Sequence, residues 1–456
     1  MEEEPKHPGD DIRARRLQRA KHLFLALARR VEANPDRTGS LSTALGERLS
    51  EYWEPVIEAA MQAAESLGYE SIHPSIDEAM ARSLREKPDL ALISEIYNRI
   101  PLDTLLLRQT SLEVFRQTVR AMEERNRVDL HPAEYLTMWL NYISRLIQVA
   151  NLNEAESEVL NARDFVRKKF REDPVKFGSG LAETLETYAV VANAKGLYDN
   201  GREAREEAIG ILRGISGHEK QLAQCLNNYA GTLNILGEKN LALEISREAV
   251  AIYRKLVESK TSATETSYSS GLQAWVDDPR PNLGDALIAL STYQNEAKLY
   301  EECLVSAKEA YDIFFELSED FPDQFRYHLG MAQHNLGMAK TSAGDIPGGL
   351  MDFRESAKIY KTLYDIHPEV FAPDYAHILG SLALACLKDK KIEEALAPAE
   401  ECVSLLRKLD EQIPGRFTRQ LARNFDYLSL IYAEMGWQER SIQITEELER
   451  LKTRER

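Results

Sequence analysis

The 456-residue sequence has few cysteines, and none of them belongs to a CxxC pair. Its four cysteines, Cys225, Cys303, Cys386 and Cys402, are scattered over nearly 180 residues. This spacing argues against a zinc ribbon and against a disulfide framework. The start of the chain, MEEEPKHPGDD, is acidic and is not followed by the apolar segment of a secretory signal. These absences together predict a reducing, cytoplasmic setting.

Long apolar runs and net positive charge are also missing. No apolar run approaches the roughly 18 residues of a membrane span, so we expect no membrane partner. The formal net charge is −17, so the whole chain is not a general binder of polyanions. The exception is the arginine-rich first predicted helix, DIRARRLQRAKHLFLALARR. It offers a possible nucleic-acid or membrane contact, although a solvated helix face is the interpretation we favour.

Motifs for catalysis, nucleotide binding and metal binding are absent as well. The sequence contains no HExxH, no P-loop, no GxGxxG and no GxSxG. Its nine histidines are dispersed, and the closest useful pair, His328 and His334, would lie on different helix faces. We therefore expect no enzymatic activity, no catalytic residue, no metal and no cofactor. An enzyme within residues 1–130 is the alternative, and no motif supports it.

What the sequence does contain is a repeated pattern of two helices and a turn. In the segment LNNYAGTLNILGEKNLAL, Leu226, Tyr229 and Leu233 form one helical stripe, Gly237 ends that helix, and a second stripe starts at Leu241. The same frame recurs along the chain, and four of its six intervals are 46 residues long. Its predicted turn residues are Ala150, Gly196, Gly237, Lys298, Gly344, Lys390 and Gly436.

Small residues recur at fixed offsets from these turns. The position five residues after each turn is always small, as in Ala155, Ala242 and Cys303. Small residues allow the backbones of two helices to approach closely, and larger ones fill the remaining space. A second recurring element is P-x-x-F, as in Pro174 to Phe177, which we expect to stop the second helix and to attach the linker to the next hairpin. It recurs at 322–325, 368–371 and 414–417.

This pattern resembles the tetratricopeptide repeat, here on a longer period similar to that of kinesin light chains and signalling-associated arrays. The resemblance covers residues 131–456 in about seven repeats. It implies an all-α fold, an α-solenoid in which helical hairpins form a right-handed superhelix. Residues 1–130 do not fit the frame and are predicted to be a helical cap or divergent repeats. A loop insertion is predicted near 259–282, where Trp275 is a possible contact with a partner.

The resemblance further implies that the first helices line an inner groove that binds peptides. Recurring asparagine favours this interpretation, because an amide both donates and accepts hydrogen bonds yet is a weak helix former. An amphipathic helix with a merely solvated face is the alternative. The candidate groove residues are Asn141, Asn193, Asn227, Asn228, Asn234, Asn295, His334, Asn335, His377, Lys388, Arg423, Asp426 and Tyr427.

Two functions are compatible with such a groove. The first is a non-enzymatic scaffold or regulator that holds an extended protein or peptide segment through amide contacts. The second is a sensor that responds to a ligand or peptide, with the N-terminal helical region as an output module that controls a DNA-binding, protease or kinase partner. The sequence favours the first.

Overall fold

The computed structural model of the chain describes residues 74–86, 93, 108–125, 127–263, 278–366, 368–412 and 415–454. In these residues all regular structure is helical, as the sequence predicts. The chain divides into two compact units, residues 1–218 and residues 219–456.

The first unit contains six helices in its described part. They are α1 (Pro74–Glu86), α2 (Arg108–Glu124), α3 (Pro132–Gln148), α4 (Leu152–Glu172), α5 (Pro174–Ala194) and α6 (Tyr198–Arg213). Helices α3 to α6 form two hairpins, and α2 packs against both α1 and α3. The carboxylate of Asp77 in α1 accepts hydrogen bonds from the backbone N–H groups of Gln109 (2.8 Å) and Thr110 (2.9 Å), so it satisfies donors at the start of α2. The predicted arginine-rich first helix lies outside the described residues.

The second unit contains ten helices, which form five consecutive hairpins in its described part. They are α7 (Glu219–Ile235), α8 (Lys239–Ala263), α9 (Arg280–Glu296), α10 (Tyr300–Asp320), α11 (Pro322–Ser342), α12 (Ile346–Ile366), α13 (Pro368–Lys388), α14 (Ile392–Gln412), α15 (Thr418–Glu434) and α16 (Gln438–Arg454). Each helix packs against the next one along the chain. We call the odd-numbered member of each hairpin its first helix and the even-numbered member its second helix.

The turn inside each hairpin lies where the repeat frame predicts it. All seven predicted turn residues have a positive φ, from 58° at Ala150 and Lys390 to 98° at Gly344. The residue after the turn then donates its N–H back into the first helix. In one such bond Glu238 donates to the carbonyl of Leu233 at 2.9 Å. This left-handed ending satisfies carbonyl groups that a helix C-terminus leaves without partners.

The small residues at fixed offsets are buried between helices. Ala155, Ala242 and Cys303 have no exposed surface. At a second small position Ser356 donates its hydroxyl to the carbonyl of Gly330 at 2.8 Å, which joins α12 to the preceding helix α11. The small residues therefore allow the backbones of neighbouring helices to pack closely, as the residue sizes predict.

The P-x-x-F element has a different role from the predicted one. Pro174, Pro322 and Pro368 are the first residues of α5, α11 and α13. Proline fits this position because the first N–H of a helix has no intrahelical acceptor. Phe177 and Phe325 therefore lie one turn inside first helices, where they are buried, and do not belong to a linker.

The predicted loop at 259–282 is shorter in the structure, because α8 continues to Ala263 and α9 begins at Arg280. Residues 264–277, and Trp275 with them, lie outside the described residues. One described segment, Val370–Lys388 in α13, is long and apolar enough to cross a membrane by composition alone. Half of it is buried inside the fold, where α13 packs against α12 and α14 as a core helix of the stack.

Candidate peptide-binding surface

In the second unit the first helices contact one another in succession, α7 with α9, α9 with α11, α11 with α13 and α13 with α15. They therefore form one continuous surface on the side away from their second helices, and we call it the first-helix surface. The residues that define it are Asn227, Gly231, Asn234, Asn295, Met338, His377, Leu384, Lys388, Arg423 and Leu430.

Asparagine amides occupy one end of the first-helix surface. Asn227 and Asn234 lie two turns apart on one side of α7, and Asn295 lies on α9. The Oδ1 atom of each is buried and has no hydrogen-bond partner among the described residues. A buried acceptor left in this state costs about 1–3 kcal/mol. The three side chains are half-buried as a whole, so a rotation of each amide brings its oxygen to the surface, where it can accept a donor from outside the chain.

Gly231 leaves space between the two asparagines of α7. A Cβ atom at this position would have the hydroxyl of Tyr293 as its nearest neighbour, at 3.8 Å. Burial raises the pKa of Tyr293 to about 12, so the phenol keeps its proton and remains a hydrogen-bond donor at neutral pH. The structure thus places a donor next to Gly231, which lies between Asn227 and Asn234 in α7.

Two predicted groove residues, His334 and Asn335, join first helices to each other. The Nδ2 atom of Asn335 donates to the carbonyl of Ile288 (2.9 Å) and to the hydroxyl of Ser291 (3.0 Å), so it connects α11 to α9. Nε2 of His334 lies 2.9 Å from the Ser381 hydroxyl of α13. Burial lowers the pKa of His334 to about 3, and this ring is neutral. The polar atoms of both residues serve the stack itself.

The remaining predicted asparagines are distributed over both units. Asn141 and Asn193 belong to the first unit, on α3 and α5, and are half-buried. Asn193 packs against Gly201 of its own hairpin, since a Cβ at Gly201 would overlap its amide. Asn228 is half-buried on α7 and has the same offset from its turn as Asn335. This offset indicates contacts within the fold for Asn228 rather than contacts with a ligand.

Positively charged groups lie at the other end of the first-helix surface. Lys388 of α13 and Arg423 of α15 are exposed and form no ion pair with the described residues. Partial desolvation lowers the pKa of His377, and the charge of Arg423 lowers it further. The rings of His377 and His334 are 5.0 Å apart. Of the other predicted residues of α15, Asp426 is exposed and Tyr427 is half-buried.

Three apolar residues of the first-helix surface were missed by the sequence reasoning. Met338, Leu384 and Leu430 follow one another at intervals of 46 residues, six positions before each turn. Leu430 is 50% exposed, and the other two are half-buried. Apolar residues repeated at one partly exposed position of the first helices are a recognisable signal for a binding surface.

Comparison with known proteins agrees with this fold. The family model of the tetratricopeptide repeat matches residues 180–255, which extend from α5 into α8. The chain therefore carries tetratricopeptide repeats in this region. No curated protein matches the sequence.

Several solved structures are similar to the chain at low sequence identity. The apo form of RapI has 16% identity, covers 70% of this chain and 99% of its own, and has a TM-score of 0.47. A Rap protein complexed with competence and sporulation factor has 12% identity, covers 76% and 98%, and has a TM-score of 0.40. The repeats of a kinesin light chain from Podospora anserina have 16% identity, cover 53% and 99%, and have a TM-score of 0.37.

Proposed function

We propose that the chain is a non-enzymatic scaffold or regulator whose first-helix surface binds an extended segment of a partner protein. The observation that carries this proposal is the set of buried amide oxygens of Asn227, Asn234 and Asn295, which have no partner among the described residues. Once these amides rotate outward, the backbone N–H groups of an extended segment are the donors that would satisfy them, whatever the side chains of that segment.

The rest of the first-helix surface suggests which side chains the segment carries. Met338, Leu384 and Leu430 would contact apolar side chains, and Lys388 with Arg423 would attract an acidic group. Five first helices packed about 9–10 Å apart extend over roughly 40 Å, which is the length of about 12 extended residues. The proposed ligand is therefore a mixed apolar and acidic segment of about that length.

The four cysteines fit a protein that works in a reducing compartment, and we propose the cytoplasm as its location. All four are free and buried. Burial raises the pKa of the Cys303 thiol to about 11 and that of Cys402 to about 12, so both stay protonated and unreactive.

The experiment is selection from a phage-displayed library of random peptides of about 12 residues against the full chain. We expect enriched peptides to combine apolar and acidic residues. Their affinity should fall roughly 5-fold in Asn227→Ala and again in Asn234→Ala, since a neutral hydrogen bond contributes about 1 kcal/mol. Leu384→Glu should weaken binding further by removing an apolar contact.

Asn240→Ala is the matched control, because Asn240 is an exposed asparagine on the second helix α8. The control should bind the selected peptides like the unmodified chain. If peptides bind equally to Asn227→Ala, Asn234→Ala and Leu384→Glu, the first-helix surface is not their site and the proposal is wrong. Failure of any peptide to be enriched counts against it as well.

A further inference from the structure

The outer surface of the second helices becomes more apolar in two adjacent repeats. Seven residues after each turn lies an exposed position of the second helix. Five of the repeats have a polar or small residue there, namely Ser157, Glu203, Glu244, Ala397 and Gln443. The other two have Val305 and Met351, which are 65% and 67% exposed. Two large apolar side chains are therefore presented to solvent by α10 and α12, where no other repeat presents one.

Among the described residues, ion pairs join α4 to α6, α8 to α10, α12 to α14 and α14 to α16, but none joins α10 to α12. Arg167 pairs with Glu207 (2.5 Å) in the first unit. In the second unit Arg254 pairs with Glu309 (2.5 Å) and Arg407 with Glu447 (2.6 Å). All three arginines lie seventeen residues after their turns, and all three glutamates lie eleven after theirs.

Between α10 and α12 this pair is not formed. It is also absent between α12 and α14, where Lys361 pairs with Asp365 of its own helix, but there Arg354 and Glu394 join the two helices instead. In α10 the position seventeen residues after the turn is Phe315, which is 45% exposed and packs against Tyr311, with the two rings tilted and their centroids 5.8 Å apart. Glu355, the acid at the position eleven after the turn in α12, pairs instead with Lys358 of its own helix at 2.6 Å. In α10 an exposed aromatic ring therefore replaces the arginine that would form an ion pair between α10 and α12.

Helix α10 is also strongly acidic. It carries seven carboxylates and a single lysine, whereas α4 carries five of each sign and α12 three of each. Lys308 pairs with Asp312 in the same helix, and arginines of neighbouring helices pair with Glu302, Glu309 and Glu316. Glu301, Glu319 and Asp320 form no ion pair with the described residues and give α10 its uncompensated negative charge. A depression of about 470 Å³ lies on the outer face of α10. Apolar Leu304, Val305 and Ile313 line it together with Lys308, Glu309, Asp312 and Glu316.

We propose that Val305, Phe315 and Met351, which we call the outer patch, dock an amphipathic basic helix of a partner protein. The apolar stripe of that helix would cover the three side chains, and its lysines or arginines would lie against the carboxylates of α10. A second copy of this chain is a poor occupant in a symmetric contact, because it would bring the uncompensated carboxylates of one α10 against the same carboxylates of the other. The outer patch is separate from the first-helix surface and goes beyond the function proposed above.

The test uses a synthetic peptide of leucine and lysine, about 18 residues long, whose leucines follow helical spacing and which is labelled for fluorescence anisotropy. The variant replaces the outer patch by residues that other repeats have at these positions, in Val305→Glu, Phe315→Arg and Met351→Glu combined. Because these residues already occur at equivalent exposed positions, the variant should fold and melt like the unmodified chain. We expect it to bind the peptide at least about 10-fold more weakly, as the loss of apolar contacts predicts.

The sign of this change separates docking from general charge attraction. The combined variant is one charge more negative than the unmodified chain, so purely electrostatic binding of a cationic peptide would become stronger. Unchanged or stronger binding by the variant therefore overturns the proposal. Equal affinity for a peptide of the same composition with alternating leucine and lysine overturns it too, because that peptide has no apolar helix face.

Two further measurements distinguish the outer patch from other contacts. Asn227→Ala should bind the leucine–lysine peptide normally, so failure of the first-helix proposal leaves this one unaffected. Sedimentation should show the unmodified chain and the combined variant in the same assembly state. If the unmodified chain dimerises and the variant does not, the occupant is a second copy and the proposed partner helix is wrong.

Discussion

Replacing Gly349 by alanine should destabilise the second unit although alanine is the better helix former. A Cβ atom at Gly349 would lie 2.6 Å from the carbonyl oxygen of Gly337 and would overlap the hydroxyl of Thr341. The oxygen belongs to backbone and cannot rotate away, so helix α12 would have to move from α11. Overpacking of this kind costs about 1–3 kcal/mol, and we expect the upper end here.

The opposing contribution is the helix propensity, which favours alanine over glycine by about 1 kcal/mol. The net loss at Gly349→Ala is then about 1–2 kcal/mol. Gly231→Ala is the matched variant, because its Cβ would meet only the Tyr293 hydroxyl at an ordinary 3.8 Å. Gly231→Ala should raise the free energy of unfolding by up to about 1 kcal/mol. The two variants should therefore differ by about 2–3 kcal/mol in the free energy of unfolding.

Thermal unfolding followed by circular dichroism at the helix band measures this difference. For a unit of this size 1 kcal/mol shifts the melting temperature by about 2–4 °C, so the two variants should melt roughly 5–10 °C apart. A Gly349→Ala protein that melts at or above the unmodified chain would refute the reasoning. It would mean that the hairpins slide apart at little cost and that the small residues do not determine their spacing.

Three further predictions concern single side chains. Lys298→Gly should raise the urea midpoint by the equivalent of about 0.5–1 kcal/mol, because lysine at a φ of 61° is strained and glycine is not; a lowered midpoint would contradict this. Asn335→Ala should lower the free energy of unfolding by about 2 kcal/mol, because it breaks two hydrogen bonds between helices. Asn227→Ala removes a buried acceptor that has no partner among the described residues, so it should leave the free energy of unfolding unchanged or raise it, and similar losses in the two variants would refute the distinction. The pKa of His334 falls from its ordinary value near 6.5 to about 3 on folding, so its contribution to the free energy of unfolding should be constant above pH 6.5 and decline below it by up to about 1.4 kcal/mol per pH unit. Urea midpoints of His334→Gln should therefore decline less steeply between about pH 7 and 5 than those of the unmodified chain.

Much of the fold could be predicted because its determinants are local. The turn residues were found from spacing alone, and even Ala150 and Lys390, which lack the usual glycine, have the positive φ of the frame. The error over P-x-x-F arose from a local ambiguity. A proline that cannot continue one helix is equally suited to begin the next, and Pro322 does so.

The candidate site was harder to predict because side-chain partners are distant in sequence. Asn335 finds its acceptor in Ile288, 47 positions earlier, and helical spacing cannot distinguish this from a free amide. The positions nine and ten residues before a turn differ by only about 100° around the helix. One of them faces the neighbouring first helix, and the other, Asn227, keeps an amide oxygen without a described partner.

The neighbour-to-neighbour packing of the second unit also has a mechanical consequence. Among its described helices, the extensive contacts join elements one or two places apart in the chain, so each hairpin is held mainly by those beside it. Under tension applied at its two ends, such a unit should yield one hairpin at a time instead of rupturing as a whole. Each step of 46 residues would release up to about 150 Å of extended chain, which would make this unit an extensible connector under load.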